Sequence, residues 1–259
     1  MRSIMFQHIK KHQFLLEELV KRDFKKKYKR SVLGMGWSVL SPLLLLLVMR
    51  LVFTQIFGRG IEHYTTYLFC GNLVFAFFNE STTQGMSSLM SNTAIFSKVN
   101  VPKYLFLFSK NMQTLLNFAI TLVVFFIFCI LDAITFTWHF VLLIYPIVCL
   151  AIFNVGLGMI LSALYIFFRD IQYLWTVFTQ LLMYMSAIFY SVTEYSETIQ
   201  RVFLINPVYV YIKYFRTIVL ENSIPSLEVN VLAIGYALIS FGIGALIYKK
   251  CNHKFIYYV

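Results

Sequence analysis

His8 and His12 stand four residues apart, the spacing at which two imidazoles on one helical face can share a metal ion. Both lie in a polar, basic segment with no carboxylate beside them, and no HExxH occurs, so they read as solvated surface side chains. His63, His139 and His253 are isolated at the ends of apolar runs. Cys70, Cys129 and Cys149 fall inside such runs and Cys251 in the basic tail; without CxxC spacing they predict small packing residues, neither a disulfide framework nor a zinc site. No GxxxxGK[ST] phosphate cradle, acidic metal-binding run, DxD or paired carboxylate is present. The pattern therefore predicts no catalytic residue, no metal and no cofactor bound by this chain, and it disfavours a membrane glycosyl or acyl transferase.

Two ionisable residues fall within or at the edge of apolar runs. Arg50 lies about 16 residues, or roughly 24 Å along a helix axis, from the start of the first run, so its guanidinium can reach the far interface or Glu62. Glu80 closes the second run at the opposite depth, so the two are not expected to pair. Charges in such places mark function or snorkel to the interface.

Uncharged polar residues repeat along single helical faces: Asn72, Asn79 and Thr83 in one run, Gln113, Asn117 and Thr121 in another, Thr176, Gln180 and Tyr184 in a third. Two readings stay open. They supply hydrogen bonds between helices of a bundle, or they line a path for a hydroxyl-rich molecule, with Phe77, Phe78, Trp175, Tyr184 and Tyr190 offering rings to the C–H faces of sugars.

The elements that must position these residues are membrane helices. With 59% hydrophobic residues, 13% charged and a mean hydropathy of +0.74, the 259-residue chain has more apolar surface than one water-soluble core can hide. The net charge of +11 does not form a nucleic-acid groove, because 10 of the 22 Lys and Arg precede residue 31 and the rest sit mostly in short loops. It fits attraction to anionic lipid, about 1 kcal/mol per basic side chain near the surface.

Six apolar runs are long enough to be read as spans: 33–57, 64–80, 111–131, 139–167, 171–192 and 229–248. Even parity puts both termini on one side. With the N-terminus inside, the inner segments carry 17 Lys and Arg and the outer ones only Arg59, Arg201, Lys213 and Arg216, which orients both ends to the cytoplasm. About 30 polar and basic residues precede the first run, so no cleavable signal peptide is expected.

Two further helices are expected at the interfaces. In residues 1–32, Leu16, Leu19, Val20, Phe24 and Tyr28 share one side while Lys21, Arg22, Lys25, Lys26 and Lys29 gather on the other, predicting an amphipathic helix flat on the inner leaflet. Asn206 and Pro207 form a helix-start pair before Val208, Tyr211, Phe215 and Ile218 at helical spacing, with Lys213 and Arg216 off that stripe. This segment is too short and too charged to cross, and reads as interfacial or re-entrant on the outer face. Gly156, Gly158, Ser162, Ser240 and Gly244 permit close helix approach, within the bundle or between two copies.

Four stretches in order carry a family likeness: RDFKKKYKRSVLGMGWSVLSPLL from Arg22, GNLVFAFFNESTTQGMSSLMSNTAIFSKVNVPK from Gly71, FFRDIQYLW from Phe167 and NPVYVYIKYFR from Asn206. Together they resemble the permease subunit of an ABC type-2 exporter, of the group that exports O-antigen, capsule or teichoic acid polymers. The resemblance implies an all-α, six-span permease domain over 33–248 with a basic tail at 249–259, in the cytoplasmic membrane of a bacterium.

The same resemblance implies a homodimer with two copies of a separate ABC ATPase that hold ATP and Mg, and a lipid-linked glycan or polyol-phosphate substrate. It places a coupling helix around Ser88 to Pro102, where Asn92, Phe96, Lys98 and Pro102 match the pattern and Phe168, Arg169 and Asp170 add a second inner contact. It also makes Asn206, Pro207, Tyr211 and Phe215 part of an outer gate. Arg50, where relatives are expected to be uncharged, and the Lys-rich N-terminus depart from the pattern. An ion-coupled secondary transporter is the alternative, which inverted repeats and broken helices around an ionisable site would favour.

Overall fold

The computed structural model describes residues 13–25, 33–57, 61–96, 98, 101–251, 255 and 258. Their regular structure is all helical, with no strand among the described residues. Residues 13–25 form α1. There follow α2 (Trp37–Phe57), α3 (Tyr64–Ser87), the short α4 (Thr93–Phe96), α5 (Tyr104–Leu131), α6 (Ile144–Phe167), α7 (Ile171–Met185), α8 (Glu197–Phe203), α9 (Pro207–Val219) and α10 (Leu227–Cys251).

Among the described residues, three helical stretches are long and apolar enough to cross a bilayer: α5, α6 with the 3-10 turn before it (Trp138–Phe167), and α10. A fourth arises if α8 and α9, bent by 111°, count as one span. The six expected runs therefore differ from the helices in character. In α2, Pro42 inside the helix removes a helix hydrogen bond. The second run continues to Ser87, so Glu80 sits inside α3 instead of closing it. The fifth run does not reach 192. It breaks at Met185 because Ala187 takes a left-handed φ of 50°. At 15 residues α7 is about 22 Å long, short of a roughly 30 Å hydrocarbon core.

α3 lies at the centre. It runs antiparallel to α5, with Thr66 opposite Asp132, Phe69 opposite Phe125, Phe77 opposite Phe118 and Ser81 opposite Asn111. It runs parallel to α6, where Phe78 meets Phe153 and Gly85 meets Gly158. A Cβ on Gly85 would come 3.1 Å from the Gly158 Cα, a tighter contact than Cβ atoms usually make, so the glycines favour this approach. One on Gly156 would strike the Ser240–Phe241 backbone, and one on Gly244 would lie 2.5 Å from the Gly156 oxygen. Ser240 donates to Phe153 O at 3.0 Å, and Ser162 and Tyr248 share a hydrogen bond of 2.9 Å. The small residues thus serve packing within the chain.

Two expected surface helices are set into the bundle. Leu19 of α1 is buried with Leu89, Phe106 and Leu107, and Asp23 is buried one turn on. Val20 and Phe24 line an apolar groove with Leu116, Ala119, Ile120 and Val123 of α5. So α1 rests against protein and does not simply lie on lipid. Lys21, Arg22 and Lys25 are exposed, as its amphipathic pattern requires, while Lys26, Lys29 and Tyr28 lie outside the described residues. α9 is buried on nearly every side, Val210, Tyr211, Ile212, Phe215 and Ile218 all being inaccessible. It is enclosed by protein, and its 111° bend against α8 fits a broken span or a re-entrant loop. Asn206 caps it by accepting from the Val208 amide at 3.0 Å, and Pro207 fills the first turn.

Candidate functional site

A cleft of about 620 Å³ opens between α2, α3 and α5. Its wall carries Asn72, Asn79, Glu80 and Thr83 of α3, Asn117 and Thr121 of α5, and Ser38 and Ser41 of α2, with Trp37, Phe77 and Phe118 as its rings. Phe77 and Phe118 pack at 4.6 Å between centroids, their planes tilted by 31°. The Glu80 carboxylate accepts from Gln84 Nε2 at 2.9 Å and Asn117 Nδ2 at 3.2 Å. Two of the three polar faces read from the sequence therefore meet in one place. Amides, hydroxyls and a carboxylate beside aromatic faces, in a space of this size, can bind a hydroxyl-rich chain.

The other path candidates are dispersed. Phe78 is buried against Phe153 and Trp175, 6.2 and 6.1 Å between centroids, and so packs the core. Gln180 and Tyr184 are exposed on α7, whose one buried residue is Thr179. Tyr190 donates to Tyr184 O at 2.9 Å in the segment after α7. Gln113 turns away from the cleft and donates to Asp23 O at 3.3 Å. Arg50 is exposed on α2, and Glu62 lies 3.9 Å from His63.

At the α1 end the expected coupling residues divide into two kinds. Lys98, Phe168, Arg169 and Asp170 are exposed, Pro102 is half-buried, and Phe96 ends α4. Asn92 is buried: its Nδ2 donates to Ser88 O at 2.8 Å and its Oδ1 accepts from Arg22 Nη2 at 2.7 Å. Asn92 therefore fixes the loop to α1 and is not presented to a partner. Arg22 also bonds the Asp23 carboxylate at 2.7 Å, and Lys110 of α5 reaches the other Asp23 oxygen at 3.1 Å. Lys103, 8% exposed, sits 5.4 Å over the Phe255 ring, and burial pushes its ammonium below the ordinary value. Asp23 and Lys110 were not singled out from the sequence. The available signal was a lone carboxylate inside a basic stretch.

At the α9 end, Tyr211 and Phe215 of the expected gate are core residues, and Tyr211 donates to Ala233 O at 2.8 Å. Arg216, expected off the packed stripe, is itself buried, its guanidinium carbon 3.4 Å from the Tyr67 ring centroid. His63 Nδ1 lies 3.5 Å from an Asp132 oxygen that also accepts from Thr66 Oγ1 at 2.6 Å. No cluster suited to holding a metal ion occurs among the described residues.

Residues 15–220, from α1 through the end of α9, match the model of the ABC-2 type transporter family. The chain belongs to that family. Among curated relatives, this ABC-2 chain is 26% identical to the O-antigen export system permease protein RfbA of Klebsiella pneumoniae, over 93% of each chain. It is 28% identical to the RfbA permease of Myxococcus xanthus over 83% of each. The capsule polysaccharide export inner-membrane protein CtrC of Neisseria meningitidis is 22% identical, over 81% of this chain and 80% of that one. Family membership makes this a transport component, multi-pass in a membrane, and accounts for a chain with spanning helices and no phosphate cradle in its sequence.

Proposed function

We propose that this chain is the permease subunit of an ATP-driven exporter that moves a lipid-linked polysaccharide across the cytoplasmic membrane of a bacterium. The observation that carries the reading is the near end-to-end likeness to permeases named for O-antigen and capsule export. The α2–α3–α5 cleft supports it, because hydroxyls and amides beside aromatic rings suit a glycan.

In this reading α2, α3, α5, α6, α7 with the segment after it, and α10 make six crossings, with both termini in the cytoplasm. Two copies pair and bind two copies of an ABC ATPase that holds ATP and Mg. ATP binding closes the ATPase dimer against the loop from Ser88 to Pro102 and against Phe168, Arg169 and Asp170. The contacts of Arg22, Asp23 and Lys110 pass that displacement to α1 and α5, and α5 forms one wall of the cleft. The α8–α9 hairpin closes the outer exit and opens as the chain passes. The polymer undergoes no covalent change, and a polyol-phosphate chain is the second substrate class the reading covers.

The test is to purify the chain with its genomic neighbours and measure ATPase activity and polymer export in the same preparation. Co-purification of a P-loop ATPase and loss of export on ATP depletion are expected. Export that continues without ATP would instead favour an ion-coupled carrier and end this reading.

A further inference from the structure

Five main-chain carbonyls between Met185 and Tyr190 are capped by side chains from other elements. Asn206 Nδ2 donates to Met185 O at 3.2 Å, Tyr64 to Phe189 O at 2.8 Å and Tyr67 to Tyr190 O at 2.6 Å. Arg216 takes the middle of the stretch, Nη1 donating to Ala187 O at 2.8 Å and Nη2 to Ile188 O at 3.0 Å, and Nη2 also to Tyr67 O at 3.3 Å. One guanidinium thus joins α9, the broken end of α7 and the first turns of α3.

The need for it follows from the break. Once Ala187 turns left-handed, the carbonyls beyond it lose their helical partners, and in an apolar surrounding each unmet group is costly. Lipid supplies no donors. Arginine offers five donors in a planar fork and no acceptor, and its charge is well placed over an aromatic face. No carboxylate lies within ion-pair distance of Arg216 among the described residues, so carbonyl dipoles and the Tyr67 ring carry the charge. Its Nε alone has no acceptor. The pocket fits closely: a Cβ on Gly71 would come 2.9 Å from Nη2 and 3.2 Å from Ile188 Cγ2.

From this geometry we infer that Arg216 is a positioning residue, a latch that makes the α8–α9 hairpin, the 185–190 segment and the start of α3 move as one body. Displacing α9 alone strips the Ala187 and Ile188 carbonyls of their donor, and displacing the end of α7 alone leaves the buried guanidinium with only the Tyr67 carbonyl. The hairpin is therefore not a flap that swings independently. The consequence for export rests on the exporter reading above; the mechanical link does not.

The experiment measures amide hydrogen exchange on the full chain in lipid nanodiscs, with its ATPase, for the wild type, R216Q, R216K and G71A, alongside polymer exported per ATP hydrolysed. In R216Q, protection at 185–190 and at 207–219 falls together by about tenfold or more, the scale of losing a charge-assisted hydrogen bond. ATPase assembly persists while export per ATP drops. R216K, which keeps the charge without the planar fork, restores part of both readouts. If R216Q does not fold, G71A decides by the same criterion, because its methyl displaces the guanidinium without removing it. Unchanged exchange in both segments, or a rise confined to 207–219, overturns the latch. Failure of the wild-type chain to export with any ATPase would count against the exporter reading, and the exchange result would still decide the latch.

Discussion

Arg22 and Asn92, 70 residues apart in sequence, are joined by a 2.7 Å hydrogen bond from the guanidinium Nη2 to the side-chain oxygen. The same guanidinium holds Asp23, and Asp23 holds Lys110, so the loop after α3, the helix α1 and the start of α5 share one polar junction. Its buried members make it sensitive to single changes.

Asp23→Ala leaves the Lys110 ammonium, which is 16% exposed, without its carboxylate. Breaking a buried pair by removing one partner costs about 3–5 kcal/mol. A large fall in melting temperature of the detergent-purified chain is expected. Asn92→Ala, which removes one hydrogen bond to a charged group, is expected to cost about 1.5–3 kcal/mol.

Lys98→Glu tests the exposed part of the same region. Lys98 makes no contribution to either core, so the variant is expected to insert normally and to lose co-purification with the ATPase. Asn92→Ala, by contrast, is expected to weaken both stability and association, since it acts through the loop it anchors. Equal behaviour of the two variants in a pull-down with thermal melts would contradict this division.

Gly156→Val is expected to destabilise the chain by more than the roughly 1–3 kcal/mol usual for overpacking, because even its Cβ would lie 2.4 Å from the Ser240–Phe241 backbone. The contact is internal, so the ratio of dimer to monomer among folded molecules should stay the same. Size-exclusion chromatography with light scattering, next to a melting curve, separates the two effects.

Glu80→Gln keeps the shape of the side chain and removes its charge. Its bonds from Gln84 and Asn117 weaken from charge-assisted to neutral ones, a change of about 1 kcal/mol each. Export is expected to fall by several-fold with the ATPase still bound. Cell-surface glycan analysis against ATPase co-purification reads both.

A cysteine introduced at Ala94, exposed on α4, is expected to react with an impermeant maleimide only in inverted vesicles or broken cells. Labelling from outside intact cells would reverse the orientation.

Periodicity exposed much of the site. The polar faces of α3 and α5 were readable because residues four apart share a side of a helix whatever that side touches, and they do meet in the cleft. Which faces meet is set by long-range packing, so Gln113 could not be separated from Asn117, nor Phe78 from Phe77. Charge was the weaker guide. Counting Arg216 among outer, solvated charges followed the ordinary behaviour of arginine, and only the carbonyls of a broken helix make its burial tolerable. The break itself was hidden because Ser186 and Ala187 carry no glycine or proline signal. Asp23 was masked by the cations around it.

The Gly85–Gly158 contact sets a mechanical ratio. No side chain separates α3 from α6 there, so a rocking of one against the other would pivot at that point. The arm from Gly85 back to Tyr64 is about 21 residues, or roughly 32 Å, while the arm on the loop side is only a turn or two. In such a rocking, a push of an ångström or so beside Asn92 would be magnified several times at Tyr64 and Tyr67, where α3 grips the carbonyls that follow α7.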